Sequence, residues 1–135
     1  MAQTTRALLR NGLVFVEDVE GGEAPYPVTD DVVRFSASSI SVSCLHEIDG
    51  ETELILGPGA EVAQDYEPAF NGFVETPRGE LMVAEVPGWP LLKAKVPRGK
   101  TRIRIWRNHP VWPDQVVIGW ETERRRCIAV GCRRS

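Results

Sequence analysis

The stretch that decides the fold is Leu92-Lys93-Ala94-Lys95-Val96-Pro97-Arg98-Gly99-Lys100-Thr101-Arg102-Ile103-Arg104-Ile105-Trp106-Arg107. Leu92, Ala94 and Val96 alternate with Lys93 and Lys95. After Pro97-Arg98-Gly99-Lys100, Ile103 and Ile105 face one way with Arg107, and Arg102, Arg104 and Trp106 face the other. A period of two places successive side chains on opposite faces, the mark of a half-buried strand. Proline and glycine between the two runs supply a turn.

Outward from this stretch the same grammar repeats. Ser39-Cys44 sets Ile40, Val42 and Cys44 against Ser39, Ser41 and Ser43. Asp49-Gly50 turns the chain into Thr52-Leu56, which ends at Gly57-Pro58-Gly59. Ala60-Pro68 reads as a polar connection, and Ala69-Glu75 as a strand carrying Phe70 and Phe73. Thr76-Pro77-Arg78-Gly79 has proline at its second corner and glycine at its fourth, as a type I turn prefers. Leu81-Val86 and Val116-Glu121 are further strands, and Cys127-Val130 is a short edge strand or part of the tail. Near the start, Arg6-Arg10 and Leu13-Val16 flank Asn11-Gly12, the pair that suits a type I′ hairpin. Thr29-Asp30-Asp31-Val32-Val33 predicts one helical turn.

No stretch of twelve residues keeps a helical period. Turn signals recur about every 8–12 residues, the spacing of a sandwich or small barrel. Connections this short predict antiparallel hairpins, because parallel pairs need long crossovers. The expectation is an all-β chain: a single antiparallel β-sandwich, jelly-roll-like, of seven to nine strands. One domain spans residues 1–135, with a flexible basic tail over 123–135. Length suits this, for 135 residues fit one domain. Twelve glycines and ten prolines favour turns over long helices.

The net charge of −3 conceals a division. Residues 1–92 carry sixteen Asp/Glu against Arg6, Arg10, Arg34 and Arg78, giving −12; residues 93–135 carry twelve Lys/Arg against three acids, giving +9. Between 17 and 67, thirteen acids meet one base, Arg34. The two halves could pair with each other in the folded protein. Alternatively the acidic half meets a basic partner, since complementary charge speeds association. Acidic loop residues Asp30, Asp31, Glu47, Asp49, Glu51 and Glu53 would then dock on a basic cleft, and Trp89 and Trp112, in proline-bounded loops, would anchor a protein partner. Packing over the end of the sandwich is the simpler role for both tryptophans. A nucleic-acid face on Arg102, Arg104, Arg107 and Arg124-Arg126, with Trp106 to stack a base, is a third reading, opposed by the acidic remainder.

Catalytic chemistry finds little support. His46 and His109 are the only histidines, and no Gly-x-Ser-x-Gly elbow, phosphate loop or Gly-x-Gly-x-x-Gly occurs. Cys44 and His46 share a strand face, and Cys127 and Cys132 could complete a zinc site, but their spacing is not a metal knuckle and Cys44 also reads as a core thiol. The expectation is a protein without enzyme activity, cofactor or metal. An odd, small number of cysteines does not make a disulfide framework. No apolar run nears the roughly 18 residues that span a bilayer, and no signal-peptide core is present, so a cytoplasmic location without membrane contact is expected.

The order of elements resembles competence protein J, the Nin type of nuclease inhibitor. The likeness covers residues 13–120. It rests on the proline-containing loop leading into Thr29-Asp30-Asp31-Val32-Val33, on the strand Ser39-Ile40-Ser41-Val42 with its following hairpin, and on Ala94-Lys95-Val96-Pro97-Arg98-Gly99-Lys100 running into Ile103-Arg104-Ile105-Trp106. It departs from the family at Val28, where the family carries tryptophan. The resemblance implies a small cytoplasmic β protein of bacteria that blocks a nuclease or toxin as an inhibitor or immunity protein. The competing classes are a metal-binding or enzymatic sandwich using Cys44 and His46, and a structural subunit of a larger assembly.

Overall fold

A computed structural model describes residues 2–10, 12–21, 33–44, 47–85, 89–109 and 113–121, with the main chain alone for Arg34 and Trp89. The strands are β1 (Gln3–Ala7), β2 (Leu13–Asp18), β3 (Val33–Phe35), β4 (Ser39–Ser43), β5 (Thr52–Pro58), β6 (Phe70–Thr76), β7 (Glu80–Glu85), β8 (Trp89–Lys95), β9 (Gly99–Arg107) and β10 (Gln115–Glu121). A single helical turn, α1 (Gly59–Val62), and a 3-10 turn, Glu47–Asp49, complete the described elements. One sheet has the order β1-β5-β10-β9-β6 and the other β3-β4-β2-β7-β8.

The all-β sandwich expected from alternation is the observed architecture, with ten described strands where seven to nine were expected. The short β3 accounts for the excess: Val33, expected in a helical turn, opens a strand paired to β4. Thr29, Asp30 and Asp31 lie outside the described residues, as do Cys127-Val130 and the basic tail. Every described pairing is antiparallel except β5 with β10, which runs parallel from Gln115↔Glu53 to Trp120↔Pro58. A parallel neighbour needs a long return path, and the chain from Gly59 to Asp114 provides it.

The short connections were expected to close hairpins, and four of them instead carry the chain from one sheet to the other. These are residues 8–12, 44–51, 77–79 and 96–98. Asn11-Gly12 therefore does not join a hairpin, although Gly12 has φ 61°. Leu9, fully buried beside this crossing, closes the core at that point. The crossings at 77–79 and 96–98 lie side by side. Thr76 pairs with Gly99, the Val96 amide donates to the Gly79 carbonyl at 3.0 Å, and Glu80 pairs with Lys95. One long antiparallel ladder thus bends around the edge of the sandwich. Buried Asp18 secures the corner, accepting from the amides of Glu20 at 2.9 Å and Arg78 at 3.1 Å. The Thr76 hydroxyl donates to the Pro97 carbonyl at 2.9 Å.

The inner faces supply Val14, Val16, Ile40, Val42, Leu54, Leu56, Val74, Leu81, Val83, Leu92, Ile103, Ile105, Val116 and Ile118. At about 25 cal/mol per Å² of buried apolar surface, this interdigitated layer is the main source of stability. Ser39 and Ser41 are buried as well, so β4 is covered on both faces rather than half-buried; the Ser39 hydroxyl donates to Glu17 Oε1 at 3.0 Å.

A second, small core lies outside the first sheet. Trp106 points away from the main core, as the alternation predicts, yet only 1% of it is exposed. It packs with Val62, Val117 and Ile55 beneath α1. Its indole N–H donates to the Tyr66 carbonyl at 2.9 Å. Residues 59–69, read from sequence as a polar connection, therefore form a strap across the outer face. Gly119 permits the close approach: a Cβ there would lie 3.1 Å from the Gly59 Cα and 3.2 Å from the Trp106 ring.

Candidate protein-binding end of the sandwich

Five strand ends of the first sheet meet at one end of the sandwich. Across the sheet, in order, lie the exit of β1 at Leu8, the entry to β5 at Glu47–Gly50, the entry to β10 at Asp114, the exit of β9 at Asn108-His109 and the entry to β6 at Tyr66–Ala69. Neighbouring strands are about 4.8 Å apart, so this row is on the order of 20 Å long. In the second sheet β2, β3 and β8 begin here and β4 and β7 end here.

Main-chain hydrogen bonds hold the row in place. The Glu47 amide donates to the Leu9 carbonyl at 3.0 Å, and the Cys44 amide to the Gly12 carbonyl at 2.7 Å. The Gly50 amide closes the 3-10 turn on the Glu47 carbonyl at 3.2 Å, and Gly50 has φ 128°, a conformation that favours glycine. The Glu53 amide donates to the Asp114 carbonyl at 2.8 Å, and Gln115 Nε2 to Glu53 Oε1 at 2.9 Å. Asn108 knits the next loop: its Nδ2 donates to Asp114 Oδ1 at 2.6 Å, and its Oδ1 accepts from the amides of Asp114 and Gln115 at 3.2 Å.

Of the residues singled out from sequence, the structure brings Glu47, Asp49, Glu51 and Glu53 together at this end. The first three are exposed and Glu53 is half-buried. Trp89 has its main chain here, at the start of β8. Asp30, Asp31 and Trp112 lie outside the described residues. Glu85, whose carboxylate accepts from the Arg10 amide at 2.9 Å, and Asp114 add negative charge at the same end.

The sequence reading missed the apolar members. Ile48, at the middle of the 3-10 turn, is 84% exposed, and Leu8 on the adjoining segment is 53% exposed. With Tyr66, they make three of the five exposed large hydrophobic residues among those described; of the others, Phe35 packs on Phe70 at the start of β6, with ring centroids 5.3 Å apart, and Phe73 lies further along β6. The available signal was a lone isoleucine between acids in Glu47-Ile48-Asp49-Gly50. At the opposite end of the row from Leu8 and Ile48 is an open recess of about 390 Å³ lined by Tyr66, Glu67, Ala69, Arg107, Asn108 and His109. Arg107 Nη1 donates to the His109 carbonyl at 3.4 Å. Burial lowers the Arg107 pKa, and the neighbouring Cys44 opposes that shift.

Cys44 is a core residue. Burial pushes its thiol up to about 12, with the Arg107 guanidinium pulling the other way. Its Sγ sits 3.5 Å from the Val42 carbonyl. Among the described residues no group of three His, Cys, Asp or Glu side chains could hold a metal. His46, Cys127 and Cys132 lie outside the described residues.

Of the nucleic-acid face considered from sequence, Arg124-Arg126 lie outside the described residues, and β9 presents the rest differently from that reading. Trp106 is covered by the strap and offers no ring face to a base. Arg104 pairs with Glu121 and stacks 5.0 Å from the Trp106 ring centroid. Arg102 Nε donates to Asn71 Oδ1 at 3.0 Å, and Lys100 and Arg102 lie over Phe73 at 5.1 and 5.9 Å. Arg107 points into the sandwich end instead. Arg104 and Glu121 thus pair within the basic half of the chain, on the outer face and away from the acidic loops.

No family model and no curated protein matches the chain. Among solved structures, similarity extends to the crystal structure of ComJ from Bacillus subtilis, described as an inhibitor of the DNA degrading activity of NucA. The two share 11% identity and a TM-score of 0.64 over 89% of this chain and 95% of that one. The fold is similar to that of ComJ. A second structure, described as crocagin biosynthetic gene J, shares 13% identity and a TM-score of 0.54, covering 91% of this chain and 96% of that one. At these identities the likeness is one of fold, and it covers most of the chain. No helix among the described residues is long and apolar enough to cross a membrane.

Proposed function

We propose that this chain is a non-catalytic, inhibitor-type protein that binds a DNA-degrading nuclease or a basic toxin and blocks it by occlusion. The observation that carries this is the concentration of exposed acids and exposed apolar side chains on one bonded end of the sandwich. Glu47, Asp49 and Glu51 project where a basic, phosphate-binding cleft would receive them, with Glu53 behind. Carboxylates there can stand in for the phosphates of a nucleic acid, so the inhibitor and the DNA compete for one surface. Complementary potentials raise the association rate, and the effect falls with salt. ComJ, a protein of similar fold that inhibits a nuclease, supports the choice of partner. Asp30, Asp31, Trp89 and Trp112 are proposed to extend this surface, and one domain is proposed to span the chain.

The test is inhibition of DNA degradation. The purified chain is titrated into the DNA-degrading nucleases encoded in its source genome. Stoichiometric inhibition that weakens with rising salt supports the proposal. Absence of inhibition and of binding with every one of them overturns it. A sandwich that served only as an assembly subunit would show self-association by light scattering and no effect on the nuclease.

A further inference from the structure

The acids explain how a basic partner is attracted, but they do not explain why a large apolar side chain stands at the tip of the same turn. Ile48 is 84% exposed, and Leu8, on the segment bonded to this turn, is 53% exposed. Single exposed apolar residues are ordinary on protein surfaces. Ile48 differs in its setting. It occupies the apex of a 3-10 turn that the Glu47 amide ties to the Leu9 carbonyl and that the Gly50 amide closes on the Glu47 carbonyl. Gly50, with φ 128°, lets the chain leave the turn sharply. The main chain that carries the side chain is therefore held, and little backbone freedom is lost when a partner buries Ile48. The residues around it are Glu47, Asp49 and Glu51, all exposed. An apolar centre with a charged rim is how energetically dominant interface residues are arranged.

We infer that the Glu47–Asp49 turn is a preorganised plug, with Ile48 entering an apolar pocket in the floor of the partner's basic cleft. This rests on the proposed inhibitor function and names what the partner must offer: cationic walls for Glu47, Asp49 and Glu51, and an apolar hollow between them for Ile48. The two components separate kinetically. The acids act on the approach, so their loss slows association and flattens the salt dependence. Ile48 acts once docked, so its loss speeds dissociation.

The experiment uses the full chain and the nuclease it inhibits, immobilised for surface-plasmon kinetics. Ile48→Ala and Ile48→Ser are compared with the triple variant Glu47→Gln/Asp49→Gln/Glu51→Gln. Ile48 is exposed in the free protein, so its replacement leaves thermal unfolding unchanged, which circular dichroism checks. The expected result is dissociation at least tenfold faster for both Ile48 variants, with association within twofold of the parent. The triple variant is expected to associate at least tenfold more slowly at low salt. Dissociation of Ile48→Ala within twofold of the parent, with the triple variant still impaired, overturns the plug and leaves the acidic surface standing. Indifference of both rates to all the variants removes the plug and the acidic surface together. If the unaltered chain binds no nuclease, the proposed function fails and the plug fails with it.

Discussion

Replacing Trp106 by alanine tests the claim that residues 59–69 are a strap locked onto the outer face of the first sheet. The indole is 1% exposed and shares its cluster only with Val62, Val117 and Ile55. Truncating a buried aromatic to alanine costs about 3–5 kcal/mol. The hydrogen bond from the indole to the Tyr66 carbonyl adds about 1 kcal/mol, and a loosened strap would recover part of that from water. The main core of Ile103, Ile105, Val116 and Ile118 lies on the other face of the same strands and is left intact. The net expectation is a loss of about 3 kcal/mol, which corresponds to roughly a 10 °C fall in Tm for a domain of this size. Urea unfolding measures the total. Hydrogen exchange locates it: the amides of Ala63 and Ala69, bonded to the carbonyls of Gly59 and Ile105, should lose protection before those of β2 and β4. Trp106→Phe keeps an aromatic ring and gives up the N–H, so it should cost about 1–2 kcal/mol. A Trp106→Ala protein within 1 kcal/mol of the parent, with Ala63 and Ala69 still protected, would refute the strap and the second core.

Other outcomes follow from single side chains. Asp18→Ala removes the buried carboxylate that accepts from two corner amides and should cost about 2–3 kcal/mol, with Asp18→Asn milder, by urea unfolding. Burial raises the Glu17 pKa above its ordinary 4.5, the Ser39 hydrogen bond opposing this. A raised folded pKa means the contribution to stability is complete below the unfolded value and is lost as pH rises through the folded one. Glu17→Gln should therefore be more stable than the parent at pH 7 and lose that advantage below about pH 4, as thermal melts across pH would show. In a chain whose Cys127 and Cys132 are changed to serine, Cys44, with its thiol pushed up to about 12, should resist Ellman's reagent at pH 8 until the protein unfolds. Rapid native labelling would contradict its burial.

How far the sequence could be read differs from residue to residue, and the reason is physical. Alternation located β4, β5, β6, β9 and β10 and assigned Ile103 and Ile105 to the core, because side-chain period depends only on the local backbone. The turn at Thr76-Pro77-Arg78-Gly79 was equally legible, and the Gly79 amide does close on the Thr76 carbonyl at 3.0 Å. What turn chemistry does not encode is which strand the next one pairs with. Pro97-Arg98-Gly99 and the turn closed by the Gly12 amide on the Leu9 carbonyl reverse the chain as expected, but they deliver it to the opposite sheet, where uncovered apolar faces need closing. The burial of Trp106 was hidden for a similar reason: its cover contributes a single buried side chain, Val62, from an otherwise polar segment. The acids Glu47, Asp49, Glu51 and Glu53 were legible as one acidic stretch. Their place beside Asp114 depends on the parallel pairing of β5 with β10, a contact between residues about sixty positions apart that no local pattern carries.

The central claim is that the end of the sandwich bearing Glu47–Glu53 is a nuclease-blocking surface. Its most direct measurement is the rate of DNA degradation by the partner nuclease, titrated with the parent chain and with a Glu47→Gln/Ile48→Ala/Asp49→Gln/Glu51→Gln variant that retains the parent's Tm. The parent is expected to stop degradation at equimolar ratio, and the variant to need at least a hundredfold more protein. Equal inhibition by the two would contradict it and would place the binding surface elsewhere on the sandwich.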